Sequence, residues 1–180
     1  MSTHADANFS SADFSALTAS RRSTRAYMDQ QIPQDILDAI LKDATTAPSW
    51  SNTRAFRVAL ATGERADRLR EEYVRRFNQT LDIQHHKRFA TIKTALKREL
   101  PDGDFPVWKP YPKELRAPQV EVAKLVYGAY GVERRDYEGR DNANRRNVSA
   151  FNAPVMGFVF VHENMLPWSA MDAGLMLQTL

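Results

Sequence analysis

The chain has 180 residues, 25 Lys+Arg against 22 Asp+Glu for a net charge of +3, 43% hydrophobic and 26% charged residues, and no cysteine. One domain fits this length and can bury roughly 70% of its unfolded surface, and the ordinary composition excludes wholesale disorder. The missing thiols exclude disulfides, thiolate nucleophiles and Cys-held zinc or iron–sulfur sites.

Residues 1–12 are polar and expected to fray, which leaves 13–180 as one domain. "MSTHADANFSSADFSAL" lacks the apolar core of a secretory signal, and no run of about 18 apolar residues follows. The expectation is a cytoplasmic protein with no membrane partner. Phe14 and Leu17 suit a short helix that leads into "SRRSTRAY". In "IPQDILDAILKDATTAPS", Pro33 suits a first helical turn and Asp35 its positive end. Ile36, Leu37, Ile40, Leu41 and Ala44 form one apolar stripe, and Pro48 ends the element. "AFRVALATG" alternates as a half-buried strand and closes on Gly63.

Residues 64–100 carry Leu69, Tyr73, Phe77 and Leu81 at helical spacing, which predicts one long surface helix and a second around "RFATIKTALKREL". A proline-rich insertion over about 101–118, with five prolines and the aromatics Phe105, Trp108 and Tyr111, reads as a linker or a lid. "VEVAKLVYGAY" and the polar stretch ending near Phe151 read as helices. "APVMGFVFVH" reads as a central strand, and Ser169 is the expected N-cap of a last helix through Asp172 to Leu180. Helices outnumber and interrupt strands, so the fold class is α+β. Two strands alone make no independent sheet, and "GLMLQTL" has neither a Gly cap nor a basic last turn. An ending inside an element is therefore expected.

Two segments carry candidate chemistry. Arg21, Arg22, Ser23 and Arg25 concentrate forked guanidinium donors and a hydroxyl, a donor set that suits phosphate oxygens. Acids accompany the other arginine doublets, at 75–76, 134–135 and 145–146, whereas the nearest acids to 21–22 are Asp13 and Asp29. Taken alone, the cluster still reads first as a solvated basic turn. "TTAPSWSNTRAF" forms a loop stiffened by Pro48 in which Ser49 and Asn52 can meet a flat polar ligand, or simply join a helix to a strand. His85-His86 with Asp82 lacks a third ligand, and adjacent helical residues diverge, so no metal site is expected. No P-loop, G-x-S-x-G or G-x-G-x-x-G occurs. The near-balanced, interspersed charge counts against a nucleic-acid partner.

In this order and separation, "RRSTRAY" and "IPQDILDAILKDATTAPSWSN" resemble the start of the nitroreductase family of FMN-dependent oxidoreductases. The resemblance runs from about Leu17 onward, and "YPKELR…LVYGAYGVERRDYEGRDNANRRNVSAFNAPVMGFVFV" is similar to its branch with a long insertion. It implies a central antiparallel sheet flanked by helices and a homodimer with FMN at the interface. Arg21, Arg22, Ser23 and Arg25 would hold the phosphate end; Pro48, Ser49 and Asn52 would approach the flavin ring, largely from the partner subunit. It further implies a ping-pong reaction in which NADH or NADPH gives hydride to flavin N5, then leaves for a nitroaromatic or quinone acceptor, with no catalytic side chain required. Phe105, Trp108 and Tyr111 would help cover the flavin face. Dehalogenation or flavin fragmentation on the same fold, or a non-catalytic phosphate or nucleic-acid binder, are the alternatives. The chain departs from the family pattern in having Arg54 where glutamine is usual, which would add positive charge near the flavin. It also ends at the D-x-G-x-x-x-Q-x-L helix (Asp172, Gly174, Gln178, Leu180), so the resemblance implies an incomplete C-terminus.

Overall fold

A computed structural model describes residues 10–85, 87, 89–100 and 110–180. Within them, helices α1 (Ser11–Ser20) and α2 (Gln34–Ala44) precede strand β1 (Phe56–Thr62). Helices α3 (Gly63–Gln84), α4 (Ala90–Leu96), α5 (Lys113–Ala129) and α6 (Tyr137–Val148) follow, then β2 (Val155–Val161) and α7 (Trp168–Thr179). The strands pair antiparallel, with Phe56 opposite Val161 and Thr62 opposite Val155.

Alternation along these strands builds three layers, because successive side chains leave opposite faces of a sheet. Phe56, Val58 and Val159 pack with Ala44, Ala47 and the fully buried Met176, which puts α2 and α7 on one face. Ala61, Met156 and Phe158 pack with Ala66 and Leu69 of α3 on the other. Of the α2 stripe, Leu37 and Ala44 are buried, Ile40 and Leu41 half-buried, and Ile36 lies at its exposed margin. α6 packs on α3, where Arg145 donates to Asn78 at 3.0 Å.

Several boundaries differ from expectation. Helix α1 already starts at Ser11, because a reciprocal capping box joins Ser10 and Asp13. The second helix of the 64–100 stretch is only Ala90–Leu96. The expected loop over 101–118 is helical from Lys113, with Pro112 as N-cap and Glu114 in the first turn. Pro118 sits within that helix, where it offers no N–H to the Glu114 carbonyl; the helix is exposed there, so water can serve that carbonyl. Ser169 is not the cap of α7: the helix begins at Trp168, and the buried Ser169 hydroxyl donates to the His162 carbonyl at 3.0 Å. A hydroxyl so enclosed takes the acceptor within reach, and the strand end supplies it.

An ion-pair network ties α4 to α3. Arg75 bridges Glu72 at 2.7 Å and Glu99 at 2.8 Å, and Gln79 donates to Glu99 at 2.9 Å. The Arg75 hydrogen bonds, helped by Gln79, hold the Glu99 carboxyl at about 2, and Arg75 with Arg76 holds Glu72 at about 2. Both values are depressed, so the stabilisation is complete above the unfolded carboxyl value near about 4.3 and is lost as pH falls toward 2. Protection factors of the amides across Ala90–Leu96, measured against intrinsic exchange at each pH, should therefore fall between about pH 4 and pH 2, and Glu99→Gln should lower them at pH 7. Protection in α4 that ignored both pH and the substitution would show that the network does not hold this helix.

Candidate functional site

The residues from Arg21 to Tyr27 leave α1 as an extended, exposed segment. Its guanidiniums make only local bonds. Arg21 donates to the Ser23 hydroxyl at 3.3 Å, Arg22 to the carbonyls of Ala19 and Arg21, and Arg25 to the Ser23 carbonyl at 3.2 Å. None of the three is in an ion pair among the described residues, whereas Arg75 and Arg76 both pair with Glu72. The charge isolation visible at 21–25 thus persists in three dimensions.

Ser23, Thr24 and Arg25 line a cavity of about 270 Å³ whose opposite wall is Tyr127 and Tyr130 of the α5 end and Asn144 and Asn147 of α6. Tyr130 is itself a lining residue, and its hydroxyl is buried with no hydrogen-bond partner among the described residues. Arg146 lies over the Tyr130 ring at 5.3 Å and adds positive charge nearby. A buried hydroxyl without a partner costs free energy, and the walls of the cavity together carry hydroxyl, amide and guanidinium donors. That donor set fits a phosphate-bearing group such as FMN at its phosphate and ribityl end. Arg21 and Arg22 do not line this cavity. Sequence reasoning missed Tyr130, Asn144 and Asn147, although the polar run "DNANRRN" was the available signal.

The second segment is built differently. Pro48 is exposed and Ser49 half-buried, and Trp50–Asn52 form a single tight turn. Ser51, Asn52 and Arg54 take left-handed backbone angles (φ 50°, 55° and 47°), a region that costs non-glycine residues about 1 kcal/mol or more each. What holds this geometry is visible. The fully buried Asp172 carboxylate of α7 accepts the Trp50 N–H at 3.0 and 3.1 Å, and Trp50 stacks on Trp168 at 4.5 Å. The Ser49 hydroxyl accepts the Arg54 N–H at 3.1 Å. Thr53 to Arg57 then line a separate cavity with the end of β2, and none of its lining residues is shared with the cavity at Arg25. The two predicted segments are therefore not brought together on one cavity of this chain.

A matching left-handed turn precedes β2, at Ala150, Phe151 and Asn152 (φ 51°, 53° and 59°). Arg70 of α3 clamps it by donating to the Ser149 and Ala153 carbonyls at 3.1 and 2.7 Å, and Phe151 reaches the Arg25 cavity. Of the aromatics expected to cover a ligand, Tyr111 stands exposed before α5, while Phe105 and Trp108 lie outside the described residues. His85 faces Asp141 at 3.2 Å, Asp82 takes Lys87 at 2.7 Å, and His86 lies outside the described residues. Among the described residues no helix is long and apolar enough to cross a membrane.

Comparison with known proteins follows the same lines. Residues 18–180 match the Nitroreductase family. The chain is 31% identical over 169 residues to a 4-nitrobenzoate reductase of Pseudomonas putida, covering 93% of this chain and 66% of that protein. It is 32% identical over 168 residues to a 4-nitrobenzoate reductase of Nocardioides sp. (strain LMS-CY), covering 93% and 62% respectively. The crystal structure of the FMN-dependent nitroreductase NfnB from Mycobacterium smegmatis in complex with NADPH superposes with a TM-score of 0.75 at 25% identity, over 92% of this chain and 67% of that one. The chain thus spans about two thirds of the length of the relatives it matches. With the α+β layers, the two ordered segments and these matches in agreement, the chain belongs to the nitroreductase family.

Proposed function

We propose that the chain acts as an FMN-dependent reductase of nitroaromatic or quinone-type acceptors, with NADH or NADPH as reductant, in the cytoplasm. The observation that carries this reading is the convergence of Ser23, Thr24 and Arg25 with the orphaned Tyr130 hydroxyl and the Asn144 and Asn147 amides. The names of the relatives, 4-nitrobenzoate reductase and FMN-dependent nitroreductase, support the same chemistry. When bound, FMN supplies the redox chemistry, accepting hydride at N5 and passing it on, and the protein supplies binding and orientation.

In this reading Arg25 and Ser23 hold the phosphate, Arg21 and Arg22 add positive field at the mouth, and Asn144 and Asn147 meet the ribityl hydroxyls. Pro48, Ser49 and Asn52 serve the ring of a site completed by a second copy, which agrees with their separation from the Arg25 cavity. Tyr111, with Phe105 and Trp108, helps cover the acceptor. A homodimer is further supported by the apolar side chains the described residues leave exposed. Phe14, Leu17 and Met28 are among the exposed apolar side chains, and α1 buries nothing. A ten-residue helix does not hold itself together in water, so α1 needs a surface to lie on.

The test is direct. The purified chain, given FMN and then separated from unbound flavin by gel filtration, should be yellow, elute as a dimer, and oxidise NADPH with 4-nitrobenzoate in a parallel-line double-reciprocal pattern. A protein that stays colourless after FMN addition sinks the reading, and intersecting lines sink its ping-pong order.

A further inference from the structure

We propose that Arg54 and Arg57, with His162, form a carboxylate-binding subsite that selects aromatic acids as electron acceptors. The cavity between the start of β1 and the end of β2 has a volume of about 440 Å³ and is lined by Arg54, Arg57 and His162 together with Phe56, Phe160 and Met165. Among the described residues no carboxylate lines it. Arg57 and Phe160 are directly opposed across the two strands and so share one face of the sheet. α3 covers that face at the Ala61–Met156 end, which leaves Phe160 59% exposed at the other. A flat ring has an apolar shelf there, with guanidinium groups at its edge.

These cations are uncommitted. Arg54 has no side-chain partner among the described residues, and Arg57 bonds only the carbonyl of its neighbour Phe56, at 3.1 Å. Arg54 is also held at a backbone angle that arginine seldom takes, fixed by the Ser49 hydroxyl on its N–H and by a 2.7 Å bond from the Phe56 N–H to its carbonyl. The strained backbone position thus falls on a residue that lines the cavity and whose guanidinium is uncommitted among the described residues. Guanidinium forks match a carboxylate bidentately, and an apolar shelf beside them distinguishes an aryl acid from an inorganic anion. The bond from Ser49 to Arg54 ties this cavity to the loop read as serving the flavin ring, so the ligand class follows from that reading: a flat acceptor carrying a negative charge.

The subsite deepens the proposed reductase reading but is tested without it, by calorimetric titration of the full chain with benzoate and with benzamide, its uncharged analogue of similar shape. Benzoate should bind about tenfold tighter or more, the ratio expected from one or two charge-assisted hydrogen bonds. Arg54→Met and Arg57→Met should each cut that ratio to about threefold or less, with melting temperatures unchanged because both side chains are exposed. On FMN-loaded protein, the same variants should raise KM for 4-nitrobenzoate relative to 4-nitrobenzamide. Equal binding of benzoate and benzamide, or a preference that survives both substitutions, overturns the subsite. A protein that binds benzoate but reduces nothing overturns the reductase reading alone.

Discussion

Arg25→Ala is expected to weaken FMN binding by more than tenfold in a fluorescence-quenching titration. A charge-assisted hydrogen bond nets about 1.5–3 kcal/mol, and about 1.4 kcal/mol is a factor of ten. Arg25 stands apart from its neighbours because it alone of the three arginines lines the cavity with Ser23, Thr24 and Tyr130. Its guanidinium holds nothing but the Ser23 carbonyl two residues away, a bond that is readily exchanged for a phosphate oxygen. Arg21→Ala and Arg22→Ala should cost roughly threefold or less, since those side chains act through the field and are screened by salt. Arg25→Lys should recover part of the loss because charge returns without the fork. Equal losses at all three arginines would mean that the cluster binds as a diffuse patch, and an unchanged affinity would remove Arg25 from the site.

Asp172→Ala should destabilise the fold by about 2–4 kcal/mol, which for a domain of this size lowers the melting temperature by roughly 5–12 °C. The carboxylate is fully buried and spends both oxygens on one backbone N–H, that of Trp50, 122 residues away in the chain. Alanine would strand that N–H beside the Trp50–Trp168 stack and leave a void at the foot of α7. The damage should be local as well. Exchange at the Trp50 amide should rise, and the left-handed residues Ser51, Asn52 and Arg54 should lose their anchor. Asp172→Asn keeps an acceptor of the same size without a buried charge, so it should cost less than half as much. A melting temperature unaffected by Asp172→Ala would show that the loop is held by the tryptophan stack instead.

The legible parts of this protein are those with a local cause. The α2 stripe, the alternation of β1 and the apolar run of β2 each repeat at the period of their own backbone, so both strands appear within a residue or two of where the sequence puts them, while α2 stops at Ala44, short of Pro48. Boundaries set by distant partners were less legible. Ser169 looks like a cap until the His162 carbonyl is seen beside it. The two left-handed turns carry no glycine to mark them. Ala150 and Phe151 adopt that geometry because Arg70, some 80 residues earlier, satisfies the carbonyls on either side.

The same division applies to the site. By itself the sequence determined the α+β class, the family and the isolation of the 21–25 arginines from acids, because composition, order and spacing are carried along the chain. Only the tertiary structure decided which of those arginines reaches a cavity and which distant groups meet it there. Tyr130 from the end of α5 and Asn144 and Asn147 from α6 line one cavity with Arg25, and the Ser49 hydroxyl fixes the Arg54 backbone where β1 begins. Convergence of that kind depends on long-range burial and hydrogen bonding, and no local period records it.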